Sequence, residues 1–526
     1  MPGNGASPGQ NVVRDLETRT YDGPVFVAFG RRLGSLWEER PLALVLGVAV
    51  GLRVVAAIWA RGYGMLDDHF DVVEVAQRWV EGRRDWLGDT RSYRSLLYPG
   101  LHWALFRALE GMGVVEPQTK MLVVRSLHAG WSLLTVVFGY RVAEALAGKE
   151  KARVAGLLLA AFWLAPFMAV RNLVEVACQP PLVAATWLLV RRRERPRSAD
   201  AFAGGLLLGL GFTIRFQTAV VPLTLFLWLL GARRPRQALL LGLGTAVSAA
   251  VLQGGSDWLG YGRPFSSLLA YLAYNADPQN VAGYPRGPWH RYLGLLLGVL
   301  IPPTSVALLW GGFRGWRRLG VVFWPALAFI ALHSAYPGKQ ERFLLPVLPL
   351  VLIACSLGWL ADADESPFWR QRPRLSRGLW AWFWAANAVL LAIYTPNYGK
   401  RAQVEALTWL RGRPDLRGVL VEGWGDAAPQ PLPLFYLGRP VPVYGPSASV
   451  EELAAQIEAK GGRRPNYVLL MGDARIEERL RRVAPIAPGL VLMQQIEPGP
   501  VDWFLHRMNP RRNVNLTARL YRAEES

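Results

Sequence analysis

What most constrains this chain is a series of long apolar runs separated by short, arginine-rich loops. The runs cover residues 41–60, 121–147, 154–170, 181–190, 201–231, 238–251, 292–310, 321–331, 343–360 and 378–393. Most approach or reach the length, about 20 residues, that an apolar helix needs to cross a bilayer, and those that fall short must borrow polar flanks. The run 201–231 is too long for one crossing and carries Arg215 and Gln217 in its middle, so it reads as a pair of spans. With 52% hydrophobic residues and 22 Trp among 526 residues, the chain holds more apolar surface than a soluble domain of this length needs to bury.

The intervening loops carry the charge. Lys149, Lys151 and Arg153 form one cluster, Arg191, Arg192, Arg193, Arg195 and Arg197 a second, and Arg233, Arg234 and Arg236 a third. Arg314, Arg317 and Arg318, then Arg370, Arg372, Arg374 and Arg377, complete the set. The positive-inside rule puts all five in the cytoplasm. A net charge of +20 distributed this way argues against nucleic acid as a partner, which would need the cations gathered on one soluble face. Neighbouring cytoplasmic loops must enclose an even number of crossings, and the split at Arg215 satisfies this. The chain then starts inside, crosses roughly 11 times and leaves its C-terminal part outside. Counting 95–113 as a span would break that parity, so it is expected to be a juxtamembrane or re-entrant helix.

Three regions follow: a cytoplasmic lead over 1–40, a membrane body over 41–396 with an outer loop at 61–95, and a tail over 397–526. The first 12 residues, rich in Gly, Pro, Ser and Asn, are expected to be disordered. The polar lead before the first span gives no expectation of a cleavable signal peptide. In the tail, β-like runs at 419–421, 441–444, 467–471 and 490–493 alternate with helical patterns at 450–460 and 474–483, as in a small α/β domain. Gly423-Trp424-Gly425 lacks the third glycine of a dinucleotide fingerprint, and fold completion or acceptor contact is the better reading. Cys178 and Cys355 lie in separate apolar runs and are expected to be buried thiols, and no Cys/His spacing suits a metal.

The outer loop holds seven acids, Asp67, Asp68, Asp71, Glu74, Glu81, Asp85 and Asp89. Helical spacing would place Asp67, Asp71 and Glu74 on one face just outside the membrane. Solvation of a wet loop accounts for such charges as readily as function does. Further polar groups sit within or at the ends of runs: Arg171 and Asn172, Arg215 and Gln217, Asp257, His333, Lys339, Glu341 and Arg342. An ionisable group at mid-membrane costs about 2.5–3.5 kcal/mol or more, so it snorkels, pairs or lines a polar cavity. In this topology Arg171, Lys339, Arg342 and the acidic loop share the outer side. Fixed cations suit a phosphate leaving group, and one carboxylate suffices to deprotonate a sugar hydroxyl. Glycoside hydrolysis would need a second carboxyl as acid.

At these residues the chain resembles glycosyltransferase family 22, the Alg9-like mannosyltransferases. Leu66-Asp67-Asp68-His69-Phe70, with Glu74, is similar to that family's His-Pro-Asp-Glu stretch and later glutamate. Tyr93-Arg94-Ser95-Leu96-Leu97-Tyr98-Pro99 resembles its Arg-Ser-Tyr-x-Tyr-Pro segment, and Arg171-Asn172-Leu173-Val174-Glu175 a shortened Arg-Thr-x-Ser-Asn-x-x-Glu turn. Asp257, Tyr261-Gly262, Asn275 and Trp289-His290-Arg291-Tyr292 follow in the family's order. The segment from His333 through Lys339, Glu341, Arg342 and Phe343 to Pro349 is similar to its His-Ser-x-x-Pro-His-Lys-Glu-x-Arg-Phe-x-x-Pro-x-x-Pro. Met65 and Leu66 stand where the family has His and Pro, Asp68 where it has Glu, and Gly338 where it has His.

The resemblance implies the GT-C type for the polytopic α-helical membrane protein read above, with its about 11 transmembrane helices and small C-terminal α/β domain. It implies transfer of mannose from a polyprenyl-phosphate carrier to a glycolipid or glycan acceptor with inversion, the carrier being a co-substrate and no metal or other cofactor taking part. Asp67 is the expected base and Asp68 the second candidate. Arg171, Lys339, Arg342 and His333 are expected at the carrier phosphate. Glu74, Arg94, Asp257, Asn275, Trp289 and His290 are expected around sugar or acceptor, with structural roles open for each. Composition suggests a bacterial inner-membrane setting with the site facing the periplasm. Two alternatives stay open: a GT-C transferase of another sugar or of a protein acceptor, and a transporter or flippase, which would require inverted repeats and broken spans at mid-membrane.

Overall fold

The computed structural model describes residues 34, 36–83, 93–192, 195, 197–282, 286–423, 430–445, 449–510 and 513–524. The first 12 residues, Asp85, Asp89, Arg193, Trp424 and Gly425 lie outside this set.

Apolar helices with few acids build the body: α1 (Pro41–Trp59), α2 (Leu97–Gly111), α3 (Pro117–Ala161), α4 (Ser198–Ile214), α5 (Val220–Gly231), α6 (Pro235–Ala249), α7 (Thr304–Arg314), α8 (Gly320–Ala335), α9 (Leu348–Glu365) and α10 (Pro373–Tyr394). Among the described residues four helices are long and apolar enough to cross a membrane, or five if Arg291–Val299 and α7, bent by 115°, form one span. Helix length alone therefore does not yield eleven crossings. The reason is local breaks: Val174–Val190, Ser198–Ile214, Phe216–Gly231 and Gly320–Ala335 are apolar but shorter. The 45-residue α3 is interrupted at Gly148, at φ 79° and ψ 171°. There the chain folds back, because a Cβ on Gly139 would lie 2.2 Å from Leu159 and one on Gly156 2.7 Å from Tyr140. The turn coincides with the Lys149–Arg153 cluster. The run 201–231 parts at Arg215, whose backbone is extended (φ −145°, ψ 103°) between α4 and a 3₁₀ turn, Phe216–Ala219.

Two of the basic loops, those around Lys151 and Arg314, meet the C-terminal end of α9 at one end of the body. Lys151 pairs with Asp364 at 2.7 Å, Arg153 with Glu38 at 2.9 Å and Arg314 with Asp362 at 3.4 Å, and Arg318 pairs with Glu365. Between the spans, glycines allow backbone to approach backbone. Gly205 and Gly244 bring α4 against α6, and Gly311 and Gly358 bring α7 against α9. Both cysteines are free and buried.

Beyond α10 the chain forms a five-stranded sheet in the order β2-β1-β3-β5-β4. Its strands are β1 (Val419–Glu422), β2 (Val443–Tyr444), β3 (Tyr467–Met471), β4 (Val491–Ile496) and β5 (Ala518–Arg522), with β1, β2 and β3 parallel and β5 antiparallel to both neighbours. All five residues of β3 are buried, as a central strand covered on both faces must be. Helices α11 (Arg401–Arg411), α12 (Val450–Ala459), α13 (Ile476–Val483) and α14 (Pro500–Met508) flank it. Strand β5 and helices α11 and α14 were not anticipated from the sequence.

The helix contacts give a direct test. A Cβ on Gly358 would stand 2.2 Å from the Gly311 carbonyl oxygen, whereas one on Gly298 meets nothing within 4 Å. Gly358→Ala is expected to destabilise the body by about 1–3 kcal/mol, and Gly298→Ala to leave it unchanged or firmer, read as thermal unfolding in detergent.

Candidate active site

The acidic loop begins with an order set by backbone donors. Asp68 accepts from Met65 N at 3.0 Å and Gly64 N at 3.4 Å, and its own carbonyl accepts from Asn172 Nδ2 at 2.5 Å. It caps the turn Leu66–Asp68, after which the chain runs as a π-helix over His69–Val73 before resuming as α-helix at Glu74–Val80. The wider turn decides which acids share a face. One extra residue rotates everything beyond it by about 100°, so Asp67 and Asp71 stay together while Glu74 is carried away from them.

Asp67 and Asp71 both meet Arg94, at 3.2 and 2.8 Å. Asp67 also accepts from Arg342, which reaches it from 275 residues along the chain. Arg342 lies 3.5 Å from Glu175, and Glu175, fully buried, is 3.1 Å from Arg215. Three arginines and three carboxylates thus alternate in one chain of ion pairs. Burial pushes the Asp67 carboxyl up, but the Arg342 and Arg94 guanidiniums outweigh it and hold it well below the usual carboxylate range. Asp68 goes the other way: burial, against the opposing pull of Arg171 and Arg342, pushes its carboxyl up to about 7.

Asp67, Asp71, Arg94, Arg215 and Arg342 line a cavity of about 290 Å³. It lies at the end of α4 away from the Arg191–Arg197 loop, since α4 starts at Ser198 beside that loop and ends at Ile214 on the cavity wall. His333 and Asn275 also line it. His333 donates from Nδ1 to the Phe329 carbonyl at 2.8 Å, leaving Nε2 as the acceptor of the neutral ring. Asn275 accepts from the Tyr336 hydroxyl at 3.2 Å and donates to Tyr271 O at 2.8 Å. Gln217 and a set of tyrosines, with Tyr93 stacked on Tyr274 at 4.4 Å, complete the polar wall.

Several expected residues sit elsewhere. Arg171 is buried and gives its guanidinium to the carbonyls of Arg61, Gly62 and Asn397 at 2.9–3.1 Å. Lys339 gives its ammonium to the carbonyls of His333, Ser334 and Tyr336. Neither lines the cavity, and both hold turns in the chain. Asp257, fully buried, accepts from Gln253 and from Ser267, at the start of helix Ser266–Ala276. Trp289 is 71% exposed, and His290 is exposed beside it. Glu74 faces the tail instead of the cavity, accepting from Phe435 N at 2.8 Å and standing 3.3 Å from His69.

That last contact belongs to a seam between acidic loop and tail. His69 is stacked between Tyr63, at 4.8 Å, and Tyr436, at 5.4 Å. The Tyr63 hydroxyl donates to Gln403 at 2.5 Å. Gly62 bridges Gly399, and a Cβ there would fall 1.8 Å from the Gly399 oxygen, so with φ at 69° only glycine fits.

Sequence reasoning missed Glu175 and the tyrosines as site residues; it noted Arg215 and Gln217 as a break in an apolar run and as polar groups that pair or line a cavity, without assigning them a role at the site. A buried ionisable group in an apolar run is itself a signal of a polar cavity, and it covers Arg215 and Glu175. Nothing in the spacing of Tyr93, Tyr271 or Tyr274 distinguishes them from ordinary packing.

The helical body with its C-terminal sheet domain has the fold of the GT-C membrane glycosyltransferases. The fold aligns with ArnT from Cupriavidus metallidurans, solved bound to undecaprenyl phosphate, over 91% of this chain and 97% of that one, with a TM-score of 0.57 at 15% identity. Residues 44–407 match the Alg9-like mannosyltransferase family, and the chain belongs to it. Among its relatives are the mannosyltransferase APTG1 of Arabidopsis thaliana, 23% identical over 73% of this chain and 72% of that protein, and the GPI alpha-1,2-mannosyltransferase 3 of Mus musculus, 24% identical over 66% and 64%. The protein is an integral, multi-pass membrane glycosyltransferase.

The ion-pair chain gives one stability comparison, and Asp68 a pH dependence. Breaking a buried pair by removing one partner costs about 3–5 kcal/mol, so Glu175→Gln is expected to lower the melting temperature strongly. Glu81→Gln, whose 2.6 Å pair with Arg83 is exposed, should cost under about 1 kcal/mol. For Asp68 the folded chain resists ionisation that the unfolded chain undergoes from about pH 4. Its contribution is therefore complete below about pH 4 and lost as pH rises toward 7. Asp68→Asn should flatten that fall in melting temperature.

Proposed function

We propose that this enzyme transfers mannose from a polyprenyl-phosphate carrier to a hydroxyl of a glycolipid or glycan, with inversion, in the cavity between Asp67, Arg94, Arg215 and Arg342. The site faces the non-cytoplasmic side in this reading, the side opposite the arginine-rich loops, and the periplasmic, bacterial setting expected from composition belongs to the same proposal. The single observation that carries it is the carboxylate of Asp67 shared between two arginines on a cavity wall. The family supports the sugar, and the undecaprenyl phosphate held by a protein of the same fold supports the carrier.

In this mechanism the acceptor hydroxyl attacks the anomeric carbon as the bond from that carbon to the phosphate oxygen breaks. The hydroxyl proton passes to Asp67, and the carrier phosphate leaves as an anion toward the guanidiniums, so no proton donor is needed at the leaving group. A carboxylate held as low as Asp67 is ionised but weakly basic. A donor phosphate that engages Arg342 and Arg94 draws their charge away from Asp67 and restores its basicity when the substrate is present. Asp68, buried and kept toward its neutral form, is positioned to shape the loop and not to take the proton.

A positioned base contributes about 10²–10⁴-fold. Asp67→Asn is expected to lower transfer of labelled mannose from polyprenyl-phosphate mannose by that factor, with expression and membrane insertion unchanged. Arg342→Ala should act mainly by raising the donor KM. Activity persisting in Asp67→Asn would place the base elsewhere, and failure of any label to move would count against mannose.

A further inference from the structure

Helix α14 in the tail carries an exposed apolar face that neither the transfer reaction nor the core uses. Trp503, Phe504 and Met508 are 54%, 55% and 69% exposed. At 100° per residue they lie, with Arg507, within about 140° of the helix circumference. On the opposite arc Val501 and Asp502 are buried and Leu505 and His506 half-buried, so the helix packs by one face and presents the other.

Its position says what covers that face. The Lys400 backbone N–H donates to Asp502 at 2.6 Å, and the Lys400 ammonium donates to the Val514 carbonyl and to Asn515. A Cβ on Gly499 would lie 2.9 Å from the Tyr398 carbonyl oxygen. Helix α14 is therefore fastened to residues 398–400, and α10 ends at Tyr394. Six residues reach at most about 20 Å, which keeps α14 beside the mouth of the helical body. The outward side of α10, with Trp382, Val389 and Ile393 exposed, leads to the same point. Trp at a membrane interface, flanking apolar side chains and an arginine that reaches toward headgroups are the composition of an interfacial helix. Arg507 lies over the Trp503 ring at 5.9 Å.

We propose that α14 docks on the bilayer, its Trp503–Phe504–Met508 face buried about 5–10 Å into the headgroup–acyl boundary, as a second membrane anchor for the tail. Because the tail grips the acidic loop through Glu74, Tyr63 and Gly62, this anchor sets the depth of the cavity mouth relative to the lipid headgroups.

The test places an environment-sensitive fluorophore on Phe504→Cys or, as control, Glu477→Cys, a side chain 92% exposed on α13. The wild-type chain, with both cysteines buried, reports background labelling. The full-length protein is reconstituted one copy per nanodisc of phosphatidylethanolamine and phosphatidylglycerol, with and without headgroup-nitroxide lipid. Quenching severalfold greater at position 504 than at 477 is the expected result. Equal quenching at the two positions would overturn the proposal. So would a change at 504 that depends on two copies sharing a disc, which would mean that a second protein molecule covers the face.

Discussion

The structure depends on a charge balance assembled from distant parts of the chain. Asp67 on the acidic loop, Arg94 before α2, Glu175 after the Arg171 turn, Arg215 at the break between α4 and α5, and Arg342 beyond α8 meet around one cavity. Each of these groups alone would be costly next to an apolar helix bundle. Alternation of sign makes the cluster tolerable, and it also makes the cluster sensitive to any further charge that enters. In the proposed mechanism an arriving phosphate is accommodated by redistributing the guanidiniums, which would couple substrate binding to the basicity of Asp67.

Around that cluster the fold supplies position. Arg171 and Lys339, ionic in character, spend their donors on main-chain carbonyls. In doing so they hold the turns that carry Asp68, Asn172, His333 and Arg342. The tail extends the same logic. Through the His69 stack and the Gly62–Gly399 bridge it braces the acidic loop from outside, so the loop is held from below by the body and from above by the sheet.

How much of this was legible in the sequence varies with the physics involved. Apolar run length and loop charge exposed the membrane body, and polarity at Arg215 located the break in the 201–231 run, because a guanidinium inside an apolar run has few solutions. The cluster Lys149, Lys151 and Arg153 between two apolar runs marked the turn in α3, because cations gather in loops between spans. Helical spacing failed at Glu74, since a π turn leaves no trace in hydrophobic periodicity yet shifts the register by a residue. The roles expected for Arg171 and Lys339 fell outside the cavity because spacing shows that a cation is near a site, and not whether carbonyls claim it first. The tyrosines of the cavity wall come from separate segments brought together only by packing.

Competition between Asp67 and the carrier phosphate for the same guanidiniums is the claim on which this picture turns, and equilibrium binding measures it without catalysis. Calorimetric titration of detergent-solubilised protein with polyprenyl phosphate should show tighter binding to Asp67→Asn than to wild type, because Arg94 and Arg342 are released. Equal or weaker binding to Asp67→Asn would show that the phosphate does not share these arginines with the carboxylate.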